Sequence, residues 1–248
     1  MSSDLQVTLP RPMTLRRTLP AIVAMAVALA ALPFTATTYW PIFKSLGFLE
    51  WRDFWAICNR YPSDIVITAM VAIIYLFDKP RRRCIVYLLV ALGVSGAMNE
   101  TIKQTFGRYR PEAALNIEEK AEKDLKKILA ADPASPIRIA REDQWLFMKP
   151  GRPFFEDYFS SFPSGHANAA FVLAAFLTAL YWRGRLVWFV FSVGVALARI
   201  ETNRHFPEDV LYGAGQGWLI AQWVMSWHWP GRIGDWIVAR LERFRWLA

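Results

Sequence analysis

The chain has 248 residues, of which 54% are hydrophobic and 20% are charged, and its formal net charge is +8. The charged share lies somewhat below the roughly 25% of a soluble domain. A positive charge would suit nucleic acid, but the basic residues lie in short clusters between apolar blocks, as membrane topology signals do, so we expect no nucleic-acid partner. Two cysteines, Cys58 and Cys84, exclude a disulfide framework and a zinc cluster, and we expect free thiols.

Six apolar blocks follow one another along the chain. They are Leu19–Thr38, Ile65–Phe77, Cys84–Met98, Ala167–Trp182, Leu186–Ile200 and Val210–Met225. Several are shorter than the about 20 residues that cross a bilayer, so we expect those helices to continue into polar residues that face the protein interior. Basic residues precede the first block, as they precede the apolar region of a signal peptide. The block is longer than that region usually is, which favours a retained helix. The pattern predicts an all-α, polytopic membrane protein with six transmembrane helices in one domain, residues 1–248.

Four basic clusters predict the topology. They are Arg11, Arg16 and Arg17; Lys79, Arg81, Arg82 and Arg83; Arg183 and Arg185; and Arg232, Arg240, Arg243 and Arg245. Alternation through six spanning blocks places all four on one side, which the excess of Lys and Arg marks as cytoplasmic. We therefore expect a multi-pass protein of a bacterial inner membrane with both termini in the cytoplasm. The stretches 39–64, 99–166 and 199–209 would face the periplasm.

The extramembrane loop 112–162 carries an amphipathic helical pattern. Its apolar residues recur at helical spacing among Lys and Glu: Ile117, Ala121, Leu125, Ile128 and Leu129. Pro133 and Pro136 then end the pattern. The helix would either stand in solvent at the rim of the protein or lie on the lipid surface beside the site.

The first of three polar stretches on the periplasmic side contains Lys103, Arg110 and Pro111. Lys103 and Arg110 are two helical turns apart, so a continuing helix would project both from one face. Pro111 disfavours helix at the preceding residue and places Arg110 near the helix end. Two cations there suit a phosphate, although a basic helix end that only touches lipid headgroups has the same sequence.

The second polar stretch is Pro163-Ser164-Gly165-His166, directly before the fourth block. Ser164 is a good N-cap, and the free N–H groups of a helix start bind anions. Gly165 lets the backbone approach a ligand closely. An ordinary helix start with an incidental histidine would look the same.

The third polar stretch runs from Arg199 to Asp209. Arg199 ends an apolar helix, where ionisable residues are costly and usually functional. Pro207 fits the first position of the next helix, so Glu208 and Asp209 fall in its first turn and favour the helix dipole. The functional alternative is that Asp209 accepts a hydrogen bond from His205, which fixes the tautomer of His205 and raises its nucleophilicity.

Together the three stretches gather cations, N–H donors and two of the three histidines in the chain, as a phosphoryl group requires. The patterns Lys-x6-Arg-Pro, Pro-Ser-Gly-His and Arg-x5-His-x3-Asp, in this order over residues 103–209, resemble those of the type 2 phosphatidic acid phosphatase superfamily. One departure is Ala198, where the family usually has Ser. The difference removes one hydroxyl from the phosphate pocket.

The resemblance implies a metal-independent lipid phosphatase. His205, oriented by Asp209, would attack phosphorus to give a phosphohistidine, and His166 would protonate the leaving lipid oxygen and then activate water. The phosphoryl oxygens would be held by Lys103, Arg110, Ser164, Gly165 and Arg199. No carboxylate cluster that would hold a divalent metal stands out in the sequence, so we expect neither metal nor cofactor.

Other functions fit parts of the same pattern. A lipid phosphotransferase would pass the phosphoryl group to a second lipid instead of water. A vanadate haloperoxidase shares the motifs but is soluble, and a transporter or scaffold with a degenerate site would lack one of the catalytic residues. As substrates we expect lipids of the periplasmic leaflet: undecaprenyl diphosphate, lipid A 1-phosphate, phosphatidylglycerophosphate or phosphatidate. The pocket residues favour none of these, and the sequence predicts no oligomeric state.

Overall fold

A computed structural model of the chain describes residues 14–34, 52–112, 126, 130 and 160–245. Helices in these ranges are α1 Leu15–Ala31, α2 Arg52–Arg60, α3 Asp64–Phe77, α4 Ile85–Phe106, α5 Gly165–Leu180, α6 Arg185–Glu201, α7 Pro207–Val224 and α8 Trp229–Arg245. Short 3₁₀ turns occur at Leu32–Phe34, Lys79–Cys84 and Trp182–Gly184. The described residues contain no strand, so the all-α prediction is confirmed.

The six predicted blocks correspond to α1 and α3–α7, whereas α2 and α8 were not predicted. Helix α4 runs past the predicted end at Met98 to Phe106 and so takes in the buried amide of Asn99, as expected of a short block. Of the described helical stretches, Leu15–Phe34 and Lys79–Phe106 are long and apolar enough to cross a membrane. Helices α3 and α5 are apolar but shorter. Six membrane crossings therefore stay a prediction.

Helix α5 lies at the centre of the bundle and packs against α4, α6 and α7. Most of its side chains are buried. The backbones of α5 and α7 are in direct contact. A Cβ added to Gly213 would lie 2.4 Å from the carbonyl oxygen of Ser164, and one added to Gly217 would lie 2.1 Å from that of Asn168. Glycine at these positions permits the contact.

Three of the basic clusters meet at one end of the bundle. Helix α8 packs on the turn Lys79–Cys84, where Arg83 pairs with Asp235 at 3.5 Å. Next to the third cluster, the hydroxyl of Tyr181 donates to Asp78 at 2.8 Å. The helices that carry these clusters are thus joined by side-chain contacts at this end.

The N-terminal cluster reaches the same end through α1. The indole N–H of Trp218, in the last two turns of α7, donates to the carbonyl of Arg17 at 3.1 Å. Both cysteines, Cys58 and Cys84, are buried and free, as expected. The predicted amphipathic helix of the 112–162 loop lies almost entirely outside the described residues.

The polar stretches gather at the opposite end. The N–H of Ser161 donates to the carbonyl of Arg108 at 3.0 Å, and the N–H of Ser164 donates to the carbonyl of Asp209 at 2.9 Å. These bonds tie the loop after α4, the start of α5 and the start of α7 together. Helix α4 has 22 residues and separates the two ends of the bundle by about 33 Å.

Gly217→Ala should destabilise the protein, because its Cβ would lie 2.1 Å from the carbonyl oxygen of Asn168 and the two backbones would have to separate. We expect a loss of about 1–3 kcal/mol, read as a lower midpoint of thermal unfolding in detergent. The matched control is Gly93→Ala in α4, where nothing lies within 4 Å of the added Cβ. Alanine should stabilise that helix slightly. Equal midpoints for the two variants would contradict the close packing of α5 on α7.

Candidate active site

Helix α5 begins directly after a serine cap, as the Pro-Ser-Gly-His stretch predicts, and this helix start is the candidate anion site. Ser164 is the N-cap, and its buried hydroxyl accepts a long hydrogen bond from the N–H of Ala167 at 3.5 Å. The N–H groups of Gly165 and His166 precede the first hydrogen bond within the helix. They therefore point, with the helix dipole, toward a ligand at this end.

Lys103 reaches the same helix start from α4. A Cβ added to Gly165 would lie 3.5 Å from the ammonium nitrogen of Lys103 and 3.4 Å from the amide nitrogen of Asn99. Lys103 and Asn99 are one helical turn apart, so both project toward Gly165. The structure thus brings Lys103 and Gly165 together and adds a second nitrogen donor that the sequence analysis missed.

Arg110 reaches this end by a different route from the one predicted. Helix α4 ends at Phe106, and Gly107 follows with φ 54°, a left-handed conformation that glycine adopts without steric cost. Arg110 therefore lies in a loop, and the prediction that it shares a helix face with Lys103 is wrong. Its guanidinium is largely buried and donates to the hydroxyl of Ser160 at 3.0 Å.

His205 lies in the turn between α6 and α7 and is only 2% exposed. Its Nδ1 lies 2.7 Å from the carbonyl oxygen of Ser161. Because a carbonyl only accepts, Nδ1 carries the proton and Nε2 keeps the lone pair. Asp209 Oδ2 is 4.0 Å from the same Nδ1, so the predicted hydrogen bond from His205 to Asp209 is replaced by one to a backbone carbonyl.

The carboxylate of Asp209 is fully buried and is occupied by other donors. The guanidinium of Arg108 donates to Oδ1, the hydroxyl of Ser161 donates to Oδ2 at 2.5 Å, and the N–H of Phe206 donates to Oδ2 at 2.9 Å. These bonds hold the carboxylate away from the imidazole of His205. Ser161 nevertheless links the two, because its hydroxyl binds Asp209 and its carbonyl binds His205.

Positive charge surrounds both histidines. Burial lowers the pKa of His205 well below its ordinary value, and the nearby cations lower it further: Arg199, Arg110 and Lys103. The pKa of His166 is lowered as well, and the same three cations contribute to that shift. The imidazole of His205 is therefore neutral near pH 7, which leaves Nε2 able to attack an electrophile.

The family model described as the PAP2 superfamily matches residues 85–233. The chain belongs to the PAP2 superfamily. The match runs from the start of α4 into α8 and contains all three polar stretches, which confirms the resemblance seen in the motifs. Membership implies phosphatase or phosphotransferase activity on phosphate esters. No curated protein and no solved structure matches the chain.

The two histidines of the PAP2 motifs differ in exposure. His205 is buried, whereas His166 stands exposed in the first turn of α5. The described residues contain no group of three or more His, Cys, Asp and Glu side chains that could hold a metal. What converges at this end is a set of cations and N–H donors, the chemistry that binds a phosphoryl group.

Ala198, which replaces the usual serine of the third PAP2 motif, is fully buried. It packs with Trp55 and Cys58 of α2. Its methyl group thus belongs to an apolar contact with a helix that was not predicted. The sequence analysis also missed Arg108 and Ser161, since a basic residue between two expected cations gives no separate signal.

Lys103→Gln should weaken the binding of orthovanadate, because the ammonium nitrogen lies beside the N–H groups that open α5. Loss of one charged hydrogen bond corresponds to an increase in Kd of about 10–100-fold. ⁵¹V NMR titration of the purified protein measures it. The control is Lys79→Gln in the turn at the opposite end of the bundle. An equal change in both variants would contradict the placement of Lys103 at the anion site.

Proposed function

We propose that the protein is an integral-membrane lipid phosphatase that works through a phosphohistidine on His205. One observation carries the proposal. A buried, neutral imidazole with its lone pair on Nε2 lies within the field of three cations, at the same end as a helix start with free N–H groups. A nucleophile beside an anion site is the arrangement that phosphoryl transfer requires.

In the proposed mechanism the N–H groups that open α5 bind the phosphoryl oxygens together with the cations Lys103, Arg110 and Arg199. Nε2 of His205 attacks phosphorus, and the bond from phosphorus to the lipid oxygen breaks. The charge of the bound phosphate offsets the surrounding cations and favours the protonated form of His166. His166 then donates its proton to the leaving oxygen, so the lipid departs as an alcohol or, from a diphosphate, as a monophosphate.

Hydrolysis reverses these roles. His166, now neutral, takes a proton from water, and the water oxygen attacks phosphorus as the bond to Nε2 breaks. Inorganic phosphate leaves, and the neutral Nδ1–H form of His205 is restored. While phosphorus is bound to Nε2, the imidazole carries positive charge. The carbonyl of Ser161 at 2.7 Å and the carboxylate of Asp209 at 4.0 Å stabilise that charge.

The membrane setting rests on separate observations. Two described helical stretches are long and apolar enough to cross a bilayer, and the family acts on phosphorylated lipids. The basic clusters lie at one end and the site at the other. We propose that the basic end is cytoplasmic and that the site faces the periplasmic leaflet of a bacterial inner membrane.

His205→Ala should lower the rate of phosphate release by on the order of 10⁴-fold, because the covalent step is lost. The assay offers the four candidate lipids in excess EDTA and follows both inorganic phosphate and transfer to a second lipid.

With p-nitrophenyl phosphate, whose leaving group needs no acid, His166→Ala should accumulate acid-labile phosphate on His205. The control is His228→Ala, an exposed histidine between α7 and α8. Near-normal turnover of His205→Ala would overturn the mechanism, and activity that EDTA removes and Mg²⁺ restores would overturn its metal independence.

Cysteine labelling tests the orientation. Thr202→Cys, exposed at the site end, should react with an impermeant maleimide in intact cells, whereas Trp182→Cys, exposed at the basic end, should react only after permeabilisation. The wild-type protein is the control, because Cys58 and Cys84 are both buried. The opposite labelling pattern would place the site in the cytoplasm and direct the search to lipids of the inner leaflet.

A further inference from the structure

Arg108 carries a charge that the proposed mechanism does not use. It lies in the first motif between Lys103 and Arg110, yet it is only 1% exposed. A charged group is buried at high cost unless ionic partners and hydrogen bonds offset the loss of water. Its partners therefore indicate what it does.

The guanidinium of Arg108 holds the segment that follows His205. It donates to Asp209 Oδ1 and, at 2.7 Å, to Glu208 Oε1. It also stacks on the ring of Phe206, with 4.3 Å from its central carbon to the ring centroid. A planar guanidinium can donate to two carboxylates while its face stacks on a ring, a geometry that the compact ammonium group of a lysine does not reproduce.

A second set of bonds connects Arg108 to the nucleophile. The carbonyl of Arg108 accepts from the N–H of Ser161 at 3.0 Å. Ser161 in turn donates its hydroxyl to Asp209 at 2.5 Å and accepts from His205 Nδ1 at 2.7 Å through its carbonyl. Arg108, Asp209, Ser161 and His205 thus form one continuous buried network.

We propose that Arg108 is a positioning residue for the nucleophile: by holding Asp209 against Ser161, it fixes His205 in the Nδ1–H tautomer with Nε2 turned to the substrate. The proposal rests on the phosphohistidine function. Without this cation, Glu208 and Asp209 would be two adjacent buried carboxylates that repel each other. Asp209 would then be free to leave Ser161, and the carbonyl that accepts from His205 would lose its support.

The first test is kinetic. Arg108→Lys should lower kcat by about 10–100-fold, as loss of an outer partner does at other preorganised sites, with KM nearly unchanged because the phosphate-binding cations remain. If Arg108 acts through Asp209, the double variant with Asp209→Asn should be no slower than Asp209→Asn alone. Multiplied effects in the double variant, or unchanged kcat in Arg108→Lys, would overturn the proposal.

The matched control is Arg82→Lys at the basic end. Arg82 is also buried, stacks on Tyr75 at 4.8 Å and pairs with Glu242 at 3.6 Å, so the same general loss of packing is imposed far from the site. An equal fall in kcat in this control would show a structural effect and contradict the positioning role. Binding of vanadate by each variant shows that its phosphate pocket is folded. If Arg108→Lys does not bind vanadate, Arg108→Gln, which keeps a planar N–H donor, replaces it in the same double-variant comparison.

The second test reads the tautomer in the resting protein. The chain has only three histidines, so ¹⁵N NMR of labelled imidazoles resolves each of them. His205 should be the Nδ1–H form in the wild type and in Arg82→Lys, and a mixture with the Nε2–H form in Arg108→Lys. An unchanged tautomer in Arg108→Lys would contradict the proposal. This measurement needs no turnover. It therefore tests the role of Arg108 even if the proposed phosphatase activity is not found.

Discussion

The active end is organised around one buried carboxylate. Asp209 has no exposed surface, and an ion in that position persists only if hydrogen bonds and an opposite charge replace water. Its partners come from three places in the chain: Arg108 after α4, Ser161 before α5 and Phe206 at the start of α7. Satisfying this carboxylate therefore requires that the three motif-bearing segments meet.

The packing of α5 on α7 supports the same junction. The N–H of Ser164 donates to the carbonyl of Asp209, while Gly213, one turn further along α7, allows the backbone to lie against Ser164. The helix start that we propose as the anion site and the turn that carries His205 are thus fixed to each other by backbone contacts. Side chains on such a frame hold their geometry before a ligand binds, as the proposed electrostatic catalysis needs.

Local sequence rules predicted the elements and their starts well. Apolar blocks predicted six helices, serine predicted the cap of α5 and proline predicted the first residue of α7. Two failures were local: α2 and α8 were not predicted, and continuing α4 through Arg110 ignored Gly107, which ends the helix. The third was tertiary. The predicted pairing of His205 with Asp209 ignored competing donors. Nothing in the sequence indicates that Arg108 and the backbone of Phe206 bind the same carboxylate.

The exposure of the two histidines gives the proposed reaction a direction. An in-line displacement places nucleophile and leaving group on opposite sides of phosphorus. His205 is buried and His166 is exposed, and both belong to the polar stretches that gather at this end of the bundle. A phosphoryl group between them would be attacked from the protein side and would release its alcohol toward the open side. In the proposed function the phosphate of a lipid would enter the cationic pocket while its acyl or polyprenyl chain stays in the bilayer. The burial that keeps His205 neutral and the exposure of His166 therefore both favour this direction of attack in the proposed reaction.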